Sequence, residues 1–296
     1  MTRVAVIAHS GKSLGGGLGE LRQVLKARGV EDLMWCEVPK SRKAPKQVRK
    51  AMKDGAELVF AWGGDGMVQR CADALAGQGV PLAVIPAGTA NLFASNLGIP
   101  DDIEAAVDIG LTGRRRPLDL GVVNGEHFAV MAGAGFDAAM IRDADSTLKD
   151  RFGRAAYVWT GAKHLHSSPV RARVEIDGKK RFKGDVSCIL AGNVGSLFGG
   201  VTVFPDAEPD DATLEVAIVT ASNVVEWTRV MLRTLRSEPG DSPFVEVISA
   251  RSVRVQFDEA VPYELDGGAR GTTKDLRIDI NPKAVEVCVP DDKDAS

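Results

Sequence analysis

The first 118 residues alternate short apolar segments with segments of helical periodicity, and this alternation limits the folds open to the chain. VAVIAH (4–9), ELVFAW (57–62) and PLAVIP (81–86) are almost wholly apolar, as expected of strands that are buried on both faces. Helical segments separate them, and one has Pro45 near its start and Gly55 at its end. Such strands, joined by helices, predict an α/β domain built on a parallel sheet.

Strand-like segments dominate from about residue 119. RARVEI (171–176) and KKRFKG (179–184) are separated by Asp177-Gly178, a pair typical of a tight hairpin turn. Further strand-like segments follow, and two helical segments interrupt them at 152–168 and 222–237. We therefore predict an antiparallel β-sandwich for the second domain, residues 119–283, after an α/β domain of residues 1–118.

The amino-acid composition is that of an ordinary globular protein. Lys and Arg number 37 and Asp and Glu number 40, so the net charge is −3, which argues against a dedicated nucleic-acid binder. No apolar run reaches the ~18–20 residues of a membrane-spanning helix, and the N-terminal apolar run is too short for a signal peptide. The four scattered cysteines predict buried free thiols, and we expect a cytoplasmic protein.

Gly63, Gly64, Asp65 and Gly66 connect an apolar strand to a helical segment. The loop is thus expected at the carboxyl end of a parallel strand, where open α/β sheets bind ligands. Glycines let the backbone approach a phosphate closely, and the helix N-terminus favours an anion. Asp65 would then hold Mg²⁺ or accept a proton from an attacking hydroxyl. The alternative is a tight turn with a capping aspartate, and the tetrapeptide alone does not decide between the two.

Two further loops strengthen the ligand-binding interpretation. PLAVIP is followed by Gly88, Thr89 and Asn91, so a second strand also ends in a glycine turn with short polar side chains. The first strand ends in a loop that contains Ser10 and Lys12. The side chain of Lys12 either reaches phosphate oxygens or is solvated. A Walker A motif is excluded, because Val6 stands where its first glycine would be.

These segments resemble the diacylglycerol kinase catalytic-domain family, which includes bacterial lipid kinases and sphingosine-kinase-like enzymes. The motifs that carry the resemblance are GGDG (63–66), PAGTANLFA (86–94), PLDLGVVNGEHFAVMAGAGFDA (117–138), FPDAEPDDATLEVAIV (204–219) and YELDGG (263–268). The resemblance implies transfer of the γ-phosphoryl group of ATP to a lipid hydroxyl with Mg²⁺. It also implies a fold like that of NAD kinases, in which residues 284–296 return to the first domain.

The resemblance also implies roles for individual residues. Asp65 would lie at the nucleotide and Mg²⁺ centre, and Asp119 near the interdomain cleft. Asp211, with Asp210 beside it, would belong to a structural metal site that backbone carbonyls complete. The alternative for Asp210 and Asp211 is a solvated turn.

The chain departs from the family pattern at two motifs. Met67 replaces the threonine of GGDGT, and Gln69 and Arg70 stand where the family has Asn and Glu. The family's D-G-E is here Asp266-Gly267-Gly268, without the glutamate that serves as the general base or its partner. Glu264, two residues before Asp266, would share its face in an extended strand. Glu264, Asp266 and Asp65 are therefore the candidates for the base.

The resemblance makes a membrane lipid the expected partner, with diacylglycerol, converted to phosphatidic acid, as the default substrate. Helical segments carrying Trp159 and Trp227 would either pack on the sandwich or make a peripheral contact with the inner face of the membrane. A homodimer is one arrangement that the sequence leaves open. The alternative functions are an NAD kinase, or a nucleotide- or lipid-binding member of the fold with impaired catalysis.

Overall fold

The computed structural model describes residues 2–135, 169–197, 201–234, 236 and 238–291. The chain divides into two compact units, Met1–Leu120 with Pro282–Ser296, and Gly121–Asn281. The helix expected over 152–168, which includes Trp159, lies outside the described residues.

The first unit is built on a parallel sheet. Its strands are β1 (Val4–His9), β2 (Leu33–Val38), β3 (Leu58–Gly63) and β4 (Leu82–Pro86), and its helices are α1 (Gly17–Ala27), α2 (Ala44–Lys53), α3 (Asp65–Leu75), α4 (Leu92–Asn96) and α5 (Ile103–Thr112). The strands lie side by side in the order β2-β1-β3-β4, and every pair is parallel. β3 and β4 are buried along their whole length, so the prediction of a parallel sheet of apolar strands is confirmed.

The strand order reverses between β1 and β3. The chain runs from β1 outward to β2 and then back past β1 to β3. In accordance with this reversal, α1 packs against α5, whereas α2 packs against α3. Open α/β sheets bind ligands at the carboxyl ends of the strands that flank such a point. Here these ends are His9 and Gly63.

The second unit is an antiparallel β structure with one described α-helix. The remaining strands are β5 (Arg114–Val123), β6 (Glu126–Phe128), β7 (Met131–Ala134), β8 (Val170–Ile176), β9 (Lys179–Val186), β10 (Cys188–Gly192), β11 (Ser196–Leu197), β12 (Val201–Thr202), β13 (Leu214–Val219), β14 (Val245–Ala250), β15 (Ser252–Leu265) and β16 (Gly268–Val289), and the helix is α6 (Val224–Thr234). Antiparallel pairing joins β14, β13, β10, β7 and β15, while β8 pairs with both β15 and β9. The core includes Phe128, Val174, Ile218, Val255 and Leu276. The sandwich prediction is confirmed.

The hairpin prediction at Asp177-Gly178 is also confirmed, because both residues have positive φ, 49° and 75°, between β8 and β9. Strands β5 to β7 were not predicted, since the arginines and the proline at the start of β5 hide its pattern. β16 is a single strand of 22 residues, Gly268–Val289. The cysteines are free as expected, and all except the half-exposed Cys36 are buried.

Candidate functional site

The two glycine loops of the first unit touch each other backbone to backbone. A Cβ atom placed on Gly88 would lie 2.3 Å from the Cα of Gly64, and one placed on Gly64 would lie 3.0 Å from the Cα of Gly88. Real Cβ atoms do not approach other heavy atoms to 2.3 Å, so there is no room for a side chain at Gly88, and a side chain at Gly64 would fit only if the loops moved slightly apart. The loops after β3 and β4 therefore form one continuous wall at the carboxyl edge of the sheet.

Asp65 joins these loops through its side chain. It is the first residue of α3, and its Oδ1 accepts a hydrogen bond of 3.0 Å from the N–H of Phe93, in the first turn of α4. The aspartate thus caps a helix, as the alternative interpretation held, but the helix that it caps is α4. Burial raises the pKa of Asp65, and the backbone N–H groups at the start of α4 partly offset this increase. Asp65 also lines a recess with Gly63, Gly64 and Asn91.

Asn91 shapes the second loop. It has left-handed backbone geometry, with φ of 49°, and is 6% exposed. Its Nδ2 donates to the carbonyls of Pro86 and Gly88 at 3.0 and 3.1 Å, and its Oδ1 accepts from the N–H of Gly88 at 2.9 Å. These bonds fix the loop in which the exposed Thr89 lies. Asn91 therefore positions the backbone around Gly88.

The loop after β1 is held against both β2 and β3. The indole Nε1 of Trp62 donates to the carbonyl of Lys12 at 3.2 Å, and the N–H of Ser10 donates to the carbonyl of Val38 at 3.0 Å. The Lys12 side chain is exposed. The predicted residues of the first unit are thus grouped at the reversal of strand order, around the carboxyl ends of β1, β3 and β4.

Ser41 is a neighbour of this group that the sequence did not reveal. It begins a 3₁₀ turn after β2, and a Cβ atom placed on Gly66 would lie 4.0 Å from its Oγ. Gly66 itself is exposed. Parallel strands end at the same edge of a sheet, so the loop after β2 (Leu33–Val38) is the place where the sequence could have indicated Ser41.

In the second unit, Asp266 binds three consecutive backbone N–H groups. Its Oδ2 accepts from Ala129 at 2.8 Å, and its Oδ1 accepts from Val130 at 2.8 Å and from Met131 at 2.9 Å. Asp266 follows the end of β15 with a left-handed φ of 47°. All three hydrogen bonds are buried, so both oxygens of this carboxylate are occupied by the segment that leads into β7.

The strand that was expected to place Glu264 and Asp266 on one face ends at Leu265. The rule holds only in an extended strand, and the chain turns at Asp266. Glu264 pairs with Gly133, and its Oε2 accepts from the N–H of Gly267 at 2.6 Å. It is 3% exposed, and burial, followed by the nearby charge of Asp266, raises its pKa to about 8. Glu264 is therefore an enclosed group that is mostly protonated at neutral pH.

This raised pKa predicts how stability depends on pH. Between the ordinary glutamate pKa and about 8, the folded protein keeps a proton that the unfolded chain releases, so wild-type stability falls as pH rises through this window. Glu264→Gln keeps an oxygen that accepts from Gly267 but removes the titration. We expect that the free energy of unfolding of Glu264→Gln, measured with urea at pH 5 to 9, will not decline in this way as pH rises. A decline equal to that of wild type would contradict the assignment.

Asp119 is buried at 1% exposure within the first unit. Its Oδ1 accepts a 2.7 Å hydrogen bond from the N–H of Lys283, whose φ is 51°. The carboxylate thus holds the left-handed residue at which β16 re-enters the first unit. A role for Asp119 at an interdomain cleft stays a prediction.

Asp211 lies in a tight loop before β13. Its Oδ1 accepts from the N–H and the Oγ1 of Thr213 at 2.8 and 2.9 Å, across Ala212, whose φ of 64° is left-handed. Asp210 beside it is exposed. Within the described ranges, no three His, Cys, Asp or Glu side chains are grouped so as to hold a metal ion. The local geometry is that of a turn, and a metal at Asp210 and Asp211 stays a prediction.

Comparison with known protein families identifies both halves of the chain. A model described as the diacylglycerol kinase catalytic domain matches residues 3–123. A model described as the YegS C-terminal NAD kinase beta sandwich-like domain matches residues 130–289, more than half of the chain. The chain belongs to the diacylglycerol kinase family. It is a lipid kinase.

Proteins named diacylglycerol kinase match over most of this chain. The diacylglycerol kinase of Bacillus subtilis (strain 168) is 35% identical over 215 residues, which are 71% of each chain. That of Staphylococcus carnosus (strain TM300) is 30% identical over 247 residues, 82% of this chain and 80% of that protein.

Solved structures show the same fold. A diacylglycerol kinase from Bacillus anthracis str. Sterne has a TM-score of 0.72 at 21% identity, covering 97% of this chain and 96% of that one. An NAD kinase from Archaeoglobus fulgidus in complex with ATP is more distant, with a TM-score of 0.54 at 10% identity, covering 97% and 93%.

The structure explains how this diacylglycerol kinase family member accommodates its first departure, Met67. Met67 is 2% exposed, and a Cβ atom placed on Gly63 would lie 2.6 Å from the Cβ of Met67. Gln69 is likewise 2% exposed, and Arg70 is half-buried. Met67 packs beneath the glycine loop and offers no hydroxyl to a ligand.

At the second departure, a guanidinium group lies beside Gly268. A Cβ atom placed on Gly268 would lie 2.5 Å from Nη1 of Arg270, which donates to the carbonyl of Gly268 at 2.7 Å. Arg270 also pairs with Glu126, with its Nη2 2.6 Å from Oε1. A larger side chain at 268 would therefore have to displace Arg270. The sequence did not reveal this Glu126–Arg270 pair, because its members are 144 residues apart.

Proposed function

We propose that this lipid kinase transfers the γ-phosphoryl group of ATP, with Mg²⁺, to the hydroxyl of a membrane lipid, with diacylglycerol as the default acceptor. One observation carries the proposal: the carboxylate of Asp65 stands where two touching glycine loops end neighbouring parallel strands. Such an edge offers backbone N–H groups and a helix N-terminus to phosphates. The names of the relatives support the choice of acceptor.

The residues of the first unit can divide the binding of a triphosphate among them. Because Gly64 and Gly88 have no side chains, the two loops meet backbone to backbone, so N–H groups of both loops can face the same phosphate. The exposed ammonium group of Lys12 supplies a positive charge at the adjacent strand end. In this proposal Asn91 positions the backbone of the second loop rather than binding the ligand directly.

The donor set fits Mg²⁺ only if the nucleotide brings most of the ligands. Mg²⁺ bound with a nucleotide takes one or two carboxylates, and phosphates and water complete its octahedron. Asp65 provides one carboxylate, which would hold the ion beside the phosphates. The chemistry supplied by Mg²⁺ is neutralisation of charge on the phosphoryl group.

We assign Asp266 a positioning role, since its oxygens are occupied by the N–H groups of residues 129–131. Glu264 is enclosed and holds a proton at neutral pH. Asp65 is then the candidate that remains, either as the ligand of Mg²⁺ or as the acceptor of the hydroxyl proton. Phosphoryl transfer depends mainly on positioning and charge neutralisation, so the reaction does not require a strong general base.

The two alternative functions are supported to different degrees by the structure. An NAD kinase shares the fold, but the likeness at 10% identity carries nothing beyond fold. A lipid kinase with impaired catalysis is favoured by one observation, the guanidinium of Arg270 beside Gly268. It predicts ATP binding with little transfer of label to any lipid.

The test is a label-transfer assay with γ-labelled ATP and Mg²⁺, offering diacylglycerol, sphingosine, ceramide or NAD to wild type and to Asp65→Asn. The amide keeps an oxygen for the N–H of Phe93 but removes the negative charge. We expect wild type to label diacylglycerol, and the variant to fold normally while losing at least about 100-fold in turnover.

The matched control is Asp108→Asn, the same change at an exposed carboxylate that pairs with Arg28 on the surface. It should leave turnover unchanged. Wild-type turnover in Asp65→Asn would refute the role of the loop, and labelling of NAD alone would refute the choice of acceptor.

A further inference from the structure

Helix α6 carries an unusual surface. Among the described residues, the large hydrophobic side chains that are exposed are Val224, Val225 and Leu232, at 61%, 63% and 53%. All three lie on this helix of 11 residues. Single exposed apolar residues are normal, but a group on one element marks an interaction site.

The spacing places these residues together on one side of the helix. Val225, Arg229 and Leu232 follow the i, i+4, i+7 pattern of a single helical face, and Val224 and Thr228 flank it. We call these five residues the outer face of α6. The opposite side packs inward through the buried Val230 and the half-buried Trp227. Of the two alternatives for Trp227, its half-buried position favours packing on the protein, and its exposed neighbours on the outer face are the candidates for contact with a membrane.

The charges of this segment divide in the same way. Arg229 and Arg236 are exposed. The acidic groups are engaged elsewhere: Glu226 accepts from the N–H and Oγ of Ser222, and Glu238 and Asp241 lie within 3.4 and 3.8 Å of Arg233. The one charged residue of the outer face is Arg229, so this face combines apolar side chains with a positive charge, although the whole chain has a net charge of −3.

A lipid kinase must reach a substrate that lies in a bilayer. In the part of the chain that the structure describes, no helix is long and apolar enough to span a membrane. Contact with the bilayer would then be peripheral, through apolar side chains that enter the boundary between headgroups and acyl chains, with cations beside them. The outer face of α6 has this composition.

We propose that the outer face of α6 docks this lipid kinase on an anionic bilayer surface. The inference rests on the proposed function for its biological sense, but binding to lipid can be measured without turnover. Val224, Val225 and Leu232 enter the interface, and Arg229 contacts anionic headgroups.

The direct test is sedimentation of the full-length protein with vesicles of phosphatidylglycerol and phosphatidylcholine, or of phosphatidylcholine alone. Wild type should bind the anionic vesicles more tightly, and less so as salt rises. Val225→Asp and Leu232→Asp should each lower the partition coefficient at least about tenfold, because a charge replaces an inserted apolar group. Arg229→Glu should weaken binding and reduce its salt dependence.

The control is Gln23→Asp, which places the same new charge at an exposed position of α1. It should bind vesicles as wild type does, and circular dichroism should show all variants folded. The proposal would be overturned if the variants of the outer face of α6 bound anionic vesicles as tightly as Gln23→Asp does. It would equally be overturned if they changed only self-association in analytical ultracentrifugation, because the face would then join two copies of the chain.

A second assay separates this proposal from the proposed function. Label transfer to a short-chain diacylglycerol dispersed in water should be unchanged in the face variants, while transfer to diacylglycerol in anionic vesicles falls with the partition coefficient. Equal loss on both acceptors would overturn the docking role. If wild type labels neither acceptor, the proposed function fails, and vesicle sedimentation still decides the docking role.

Discussion

Gly88→Ala is expected to lower kcat/KM for ATP by about 100-fold. The added Cβ would lie 2.3 Å from the Cα of Gly64 and 2.6 Å from Oδ1 of Asn91. Because the first contact is with backbone, the two loops would have to separate by about 1 Å, and a misplacement of that size can cost about 100-fold in rate. Overpacking of this kind also costs about 1–3 kcal/mol of stability. Steady-state kinetics and urea unfolding measure the two effects.

The structure supplies a graded comparison and a control. Gly64→Ala brings its Cβ to 3.0 Å from the Cα of Gly88, so its effect should be smaller than that of Gly88→Ala. Gly19→Ala, within α1, meets nothing within 4 Å and should leave kinetics unchanged, with stability equal or slightly higher. If Gly88→Ala kept wild-type kinetics, the touching loops would not form the nucleotide site.

The sequence predicts the elements of this site better than the contacts between them. Strand ends can be located from local pattern, because buried strands are apolar and their glycine turns follow directly, as at Gly63–Gly66. This is why the parallel sheet and the resemblance were correctly recognised. That Gly64 touches Gly88 is a tertiary contact that no local pattern encodes.

In the second unit of the protein, local sequence patterns reveal even fewer of the tertiary contacts. Asp266 finds its partners 135 to 137 residues earlier in the chain. The same-face rule does not apply to Glu264 and Asp266, because the strand ends before the left-handed Asp266, and a D-G pair alone does not show where a strand ends. The exposure of Val225 and Leu232 depends equally on which side of α6 packs inward.

Asp266→Ala is expected to lower the free energy of unfolding by about 3–5 kcal/mol. Removal of the carboxylate leaves three buried N–H groups without this acceptor, and each unsatisfied buried group costs about 1–3 kcal/mol. Asp266→Asn keeps a single oxygen and a residue type that tolerates positive φ, so its cost should be intermediate. Urea unfolding monitored by circular dichroism gives these values.

Asp177→Ala is the matched control for this clamp. Asp177 also has a left-handed φ, 49°, and its Oδ1 accepts from the N–H groups of Arg251 and Ser252 at 3.0 and 2.9 Å, but these bonds are exposed. Because water can replace the lost acceptor, its loss should cost only about 1 kcal/mol. A catalytic Asp266 would behave otherwise, because Asp266→Asn would then keep wild-type stability and lose turnover. Equal costs for Asp266→Ala and Asp177→Ala would show that the buried clamp does not stabilise the second unit.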